Sequence, residues 1–216
     1  GIAHLTAIKG RVPFINFFDG FRTSHEIQKI EVLEYEELKK LIDQKALTAF
    51  RNRSMTPNKP VIRGTAENPD VYFQHCEASN PFYLAIPDMV QEYMDKISAL
   101  TGRSYHLFDY YGAPDAERVI VSIGSVSDVI KDVADILCEN GEKVGMLNVH
   151  LYRPFSIKHF IEQLPKTVKK IAVLDRTREP GSIGEPLYLD VQSAIAGSDI
   201  DARVVGGRYG LGSKDV

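Results

Sequence analysis

From position 118 onward the apolar residues switch between two periods. "VIVSIGS" (119–125) is a short β-branched run, the mark of a strand buried on both faces. It leads into "VSDVIKDVADILCENG", where Val129, Ile130, Val133, Ile136 and Leu137 recur at helical spacing. Ser125 followed by Asp128 resembles a capping box with Asp in place of Glu, and Gly141 stands where a helix ends. "KVGMLNVHL" (143–151) predicts the next strand, and Ser156 predicts the cap of a short helix that runs to Leu164 and stops at Pro165. "KKIAVLDRT" (169–177) predicts a third strand. The loop "REPGSIGEP" then opens a helix, "PLYLDVQSAIAG", with Pro186 in its first turn, and "ARVVGG" (202–207) closes the series. Strand–helix repetition at this spacing predicts a parallel sheet with helices on both faces, a three-layer α/β/α sandwich.

The first half of the chain lacks that rhythm. In residues 1–50, "RVPFINFFDG" predicts a strand (14–18) and a turn, and "HEIQKIEVLEYEELKKLID" predicts a polar helix or helix–loop–helix. So small an α/β piece cannot close a core of its own, which points to the end of another domain. Residues 51–117 are rich in Pro, Asn and Gly and predict an extended connector. It holds one helix, "IPDMVQEYMDKISALTG", ended by Gly102. Three parts result: 1–50, 51–117 and 118–216.

Composition narrows the chemistry. The 216 residues are 44% hydrophobic and 25% charged, with net charge -3, which gives no electrostatic reason to expect nucleic acid or an anionic membrane. No apolar run approaches the roughly 20 residues of a membrane helix. Cys76 and Cys138 are the two cysteines: too few for an iron–sulfur cluster, and expected to be reduced thiols in a cytoplasmic protein.

The densest chemistry lies in "FFDGFRTSHE" (17–26). Its structural account is a strand, an Asp19-Gly20 turn and a helix capped by Thr23 with Glu26 as reciprocal partner. A helix start just after a strand is also where anions bind, so both roles can coexist. "VLDRTREPG" ends a strand with Asp175 and Arg176, where open α/β sheets face ligands, although an alternating acid–base run more often forms a structural network. "VVGGRYGLGSKD" is glycine-dense but lacks the GxGxxG order of a dinucleotide site. None of the six histidines stands in HxH or HxxxH spacing, so no metal ligands are assigned and no catalytic residue is named.

Seven ordered stretches, "FFDGFRTSHEIQKIE", "RGTAENPDVYFQ", "YYGAPDAERVIVSIGS", "GEKVGMLNVHLYRPFS", "KTVKKIAVLDRTREPG", "GEPLYLDV" and "VVGGRYGLGSKD", together resemble pyruvate:ferredoxin (or flavodoxin) oxidoreductase over nearly the whole chain. The resemblance implies a parent enzyme that oxidatively decarboxylates pyruvate to acetyl-CoA. It would use thiamin diphosphate, Mg2+ and [4Fe-4S] clusters, take coenzyme A as co-substrate, and pass electrons to ferredoxin or flavodoxin. It implies a homodimer of long multidomain chains whose remaining domains are this stretch's partners. Residues 1–50 would end the N-terminal domain, and 118–216 would be a second domain like the C-terminal domain of transketolase, whose sheet carries one antiparallel strand. The diphosphate–magnesium motif and the cluster cysteines belong to other domains, so this piece is expected to bind no cofactor and to be inactive alone. Arg22 and Thr23 become substrate-side candidates, and Asp175 and Arg176 interface candidates. The alternative left open is a stand-alone α/β module binding coenzyme A or a nucleotide.

Overall fold

The computed structural model describes residues 1–20, 22–62, 64 and 66–212. In chain order its elements are α1 (Ile2–Gly10), α2 (Arg22–His25), α3 (Tyr35–Lys40), α4 (Gln44–Asn52), α5 (Pro69–Leu84), α6 (Ile86–Thr101), β1 (Phe108–Gly112), β2 (Arg118–Ser122), α7 (Val126–Glu139), β3 (Val144–Val149), α8 (Ile157–Gln163), β4 (Lys170–Asp175), α9 (Pro186–Ala196) and β5 (Arg203–Arg208). Two compact units form. One comprises Gly1–Asn16 with Lys29–Tyr105, the other Phe17–Gln28 with the chain from His106 onward.

The first unit is helical. Val90, Tyr93, Met94 and Ile97 repeat at i, i+3, i+4 and i+7, and this stripe of α6 is buried, with Leu5 of α1 and Val12 also in the core. Lys9 reaches from α1 to Glu92 at 2.6 Å and lies over the Tyr93 ring, 5.5 Å from its centre. Gly102 ends α6 in the left-handed conformation at φ 70, as the sequence predicts. By contrast α3, α4 and α5 bury no residue at all, and α5 leaves Tyr72, Phe73 and Leu84 exposed. The sequence missed α5 because Pro69 and Pro81 look like breakers. Pro69 sits in the first turn, where its missing N–H costs nothing, and Pro81 lies in the last turn. The strand expected over 14–18 is not formed: residues 11–20 have no regular structure, and Phe17 and Phe18 are exposed. A strand exists only where its backbone pairs with a neighbour, and 14–18 enter none of the strand pairings among the described residues.

The second unit is a five-stranded sheet in the order β1-β3-β2-β4-β5, parallel except for β1, which runs antiparallel to β3. All four strands predicted after residue 118 appear at their places. β1 lies within the stretch read as connector: five residues, "FDYYG", are too short for a periodic signal. It is the single antiparallel strand that the family resemblance implies. The alternation of period 2 sorts the side chains. Ile171 and Val173 of β4 are fully buried on the side of α9, with Leu187 and Val191. Phe108, Phe155 and Phe160 meet on the α8 side, with centroids 5.3 to 5.5 Å apart. On the other face, Val126 and Ile130 of α7 pack on Met146, with Ile120, Leu174 and Tyr209 against them. Ser156 caps α8 by accepting from the His159 N–H, and Pro186 begins α9.

Tight packing at the antiparallel edge rests on Gly145. A Cβ there would fall within 2.7 Å of Tyr110 Cζ, and the Tyr110 hydroxyl donates to the Ala113 carbonyl at 2.5 Å. Burial pushes the Tyr110 phenol up to about 12. Gly145→Ala is expected to destabilise the chain by about 1–3 kcal/mol through overpacking, read as a lower urea midpoint with an unchanged slope. Adding Tyr110→Ser to it recovers part of the loss.

Candidate functional site

In an open α/β sheet, ligands gather beyond the carboxyl ends of the strands, where helix N-termini present free amides. Here three helices, α7, α8 and α9, begin at that edge, after β2, β3 and β4. Ser156 caps α8, and the starts of α7 and α9 are each met by a carboxylate of the chain itself. At α9, Asp175 Oδ1 accepts from the Leu187 N–H at 2.9 Å and Oδ2 from the Tyr188 N–H at 3.1 Å. Asp175 is 4% exposed. Its burial outweighs the two N–H donors and pushes the carboxyl up.

At α7 the carboxylate comes from far away in sequence. Asp19 Oδ2 accepts from the Ser125 N–H at 2.6 Å. Gly124 makes room for it: its φ is +91, and a Cβ there would stand 2.7 Å from Asp19 Oδ2. Arg176 Nη1 lies 3.4 Å from Asp19 Oδ1, while Arg176 Nε donates to the Gly210 carbonyl at 3.0 Å. The guanidinium stands 5.9 Å from the Tyr209 ring centre, and the Tyr209 hydroxyl donates to the Ile123 carbonyl at 3.0 Å. Burial alone would raise the Asp19 carboxyl, but the Ser125 hydrogen bonds and Arg176 hold it below its ordinary range. The capping box expected of Ser125 and Asp128 is absent: the Ser125 side chain makes no cap bond, and the Ser125 N–H that the Asp128 carboxylate would have satisfied donates to Asp19 instead. Beside this cluster Glu185, 4% exposed, accepts from Arg208 Nε at 2.5 Å and from the Glu179 N–H at 2.9 Å.

The four residues singled out from sequence fare differently. Asp175 and Arg176 are neighbours with different tasks, one on α9 and the other on Asp19 and Gly210. Thr23 is half-buried, but α2 starts one residue before it, and Glu26 lies beyond the helix end, so the expected reciprocal cap does not form. The side chain of Arg22 lies outside the described residues, as does the 213–216 end of the glycine-dense stretch. Asp19, Glu185 and Tyr209 were not foreseen. Asp19-Gly20 looks locally like a turn, and only the hydrogen bond from the Ser125 N–H, more than a hundred positions away, shows its role.

A polar chain also crosses the sheet. Ser122 Oγ lies 3.2 Å from Ser127 Oγ, which donates to Asn148 Oδ1 at 2.8 Å; Asn148 Nδ2 lies 2.8 Å from His150 Nε2, and His150 Nδ1 3.3 Å from Asp109. Ser122 and Ser127 are 0% and 3% exposed, so neither hydroxyl can meet a substrate, and the chain serves to tie α7 to β1, β2 and β3. Among the described residues no three His, Cys, Asp or Glu are grouped to hold a metal ion. At this edge the described residues assemble no carboxylate set for magnesium, and Asp19 and Asp175 already take amides at the starts of α7 and α9. Nor can two cysteines ligate a four-iron cluster. Among the described residues no helix is long and apolar enough to cross a membrane.

Residues 1–95 match the family described as pyruvate flavodoxin/ferredoxin oxidoreductase, thiamine diP-binding, and residues 116–216 match pyruvate:ferredoxin oxidoreductase core domain II. The chain belongs to the pyruvate:ferredoxin/flavodoxin oxidoreductase family. It is 66% identical to a pyruvate-flavodoxin oxidoreductase of Enterobacter agglomerans over 100% of its own length and 18% of the relative's. It is 65% identical to that of Klebsiella pneumoniae over the same shares, and 61% identical to the pyruvate:ferredoxin oxidoreductase of Moorella thermoacetica over 99% and 18%. The chain thus spans about a fifth of the length of these oxidoreductases.

Asp19→Asn tests the contact at α7. A carboxyl held below its ordinary value near 3.8 stabilises the fold above that pH, and the contribution is lost as pH falls through the folded-state value. The variant is expected to lose about 1 kcal/mol at pH 7. In urea unfolding, the gap from the native chain should narrow as the pH is lowered below 3.8.

Proposed function

We propose that this chain is a domain-organising segment of a thiamin-diphosphate-dependent oxidoreductase that decarboxylates pyruvate to acetyl-CoA and reduces ferredoxin or flavodoxin in the cytoplasm. The observation that carries this reading is the match of both halves to the oxidoreductase family over a fifth of its relatives' length. In this reading the thiamin site, its magnesium, the [4Fe-4S] clusters and the coenzyme A site are completed by other stretches of a long polypeptide that works as a homodimer.

The segment's own task is to hold geometry. Asp19 and Arg176 fasten the 17–28 stretch at the strand ends, so α2 starts three residues beyond a fixed carboxylate. Arg22 and Thr23 of α2 are then the candidates for the substrate side, with arginine suited to a carboxylate by its fork of donors. Asp175 and Arg176 serve as interface residues by fixing the loops that neighbouring domains meet. A stand-alone coenzyme A or nucleotide module is disfavoured, because the amides that would greet a phosphate are bound to Asp19 and Asp175.

The test is calorimetric titration of the isolated chain with thiamin diphosphate and Mg2+, alongside an assay for carbon dioxide release from pyruvate. Neither micromolar binding nor turnover is expected; either one would overturn the proposal. Arg22→Ala in the full-length enzyme is expected to raise the KM for pyruvate at least about tenfold, the loss of one charge-assisted hydrogen bond.

A further inference from the structure

The two faces of the sheet are not equally covered. α8 and α9 share one face, whereas α7 has the other to itself, and its contacts are with β3, β1 and β2. Over β4 and β5 the α7 side stays open. There the structure has a groove of about 630 Å³, with Val129, Val133 and Leu137 of α7 as its wall and Ile120, Ala172 and Val205 as its floor. Val129, Val133 and Val205 are 49%, 48% and 45% exposed, so apolar surface that a parallel sheet normally covers faces solvent.

The mouth of the groove is basic. The pairing register sets Arg118 opposite Lys170 and Lys170 opposite Arg203, three like charges in a row across adjacent strands. Like charges directly opposite repel. Arg118 is matched by Glu142, but Lys170 and Arg203 are exposed and make no ion pair among the described residues.

Resting on the proposal that this chain is part of a longer oxidoreductase, we infer that the groove takes an amphipathic helix from outside these 216 residues of the same polypeptide. That helix lies beside α7 with an apolar stripe toward β4 and β5 and acidic residues at the end that meets Lys170 and Arg203. Three observations select this occupant. Packed helices lie about 8–10 Å apart, so a helix beside α7 covers β4 and β5. The basic row asks for an acidic end. The relatives carry more than four-fifths of their length outside the matched stretch. A second copy fits less well: its α7 would be wedged between two sheets, burying the exposed Asp128, Asp132 and Asp135.

The experiment places the photoreactive residue p-benzoylphenylalanine at position 133 or 205 of the full-length polypeptide that contains this chain. Peptides cross-linked on irradiation are mapped by mass spectrometry, with a mixture of isotopically light and heavy protein separating contacts within a polypeptide from those between copies. The expected result is a cross-link within one polypeptide to a helix outside the 216 residues, its yield reduced at least about fivefold by Lys170→Glu with Arg203→Glu. No such cross-link, or one only between copies at the same groove, overturns the inference. Pyruvate-dependent reduction of flavodoxin or ferredoxin by the same preparation reports on the parent activity separately. An active enzyme without the cross-link sinks the groove assignment alone, and an inactive one with the cross-link sinks only the proposed function.

Discussion

The second unit depends on one requirement, that a sheet of buried parallel strands be covered on both faces. Val119, Val121, Ile171 and Val173 meet it on the α8–α9 side, where each is at most 2% exposed. Fully burying one such side chain contributes about 1.5–3 kcal/mol, and four of them rival the net stability of a whole domain. The right-handed crossover then dictates which helix goes where. A single step from β2 to β3 sends α7 to one face, and the return past β2 to β4, then the step in the same direction to β5, send α8 and α9 to the other. The uneven coverage of the sheet follows from strand order alone.

Coverage also explains what was legible in the sequence. β2 and β4 announced themselves because β-branched runs between turn residues signal burial, and β3 by an apolar run of strand length, whereas β5 was legible from its paired valines although it buries none of its residues. α6 was legible because its stripe is buried at helical period, and Gly102 because only a left-handed residue ends a helix that way. α5 was hidden: it buries nothing in this unit, so no stripe marks it, and its prolines mislead. β1 was too short to show a period. Phe14–Phe18 looked like a strand on local preference, but pairing is a tertiary event, and these residues pair with no strand of the sheet.

The site was legible only in part, for a related reason. Asp175 and Arg176 end a clear strand, so their position at the ligand edge could be inferred, although their partners could not. Asp19 was invisible as a cap, since local pattern offers Ser125 for that task and the real acceptor lies more than a hundred residues earlier. Sequence spacing exposes contacts within a turn or two of helix. It says nothing about a carboxylate brought across the fold, which here replaces the local cap and pins the 17–28 stretch.

That insertion has a consequence for how such proteins can be cut and recombined. The sheet unit is discontinuous in sequence: the piece that seals the amide end of α7 interrupts the sequence of the helical unit between Asn16 and Lys29. A gene joint placed near residue 106 would transplant five strands and three helices yet leave that amide end bare, with Arg176 facing nothing acidic. Shuffling by a single crossover therefore does not yield a clean module, and lineages that exchanged this sheet would have had to carry both pieces or invent a new plug.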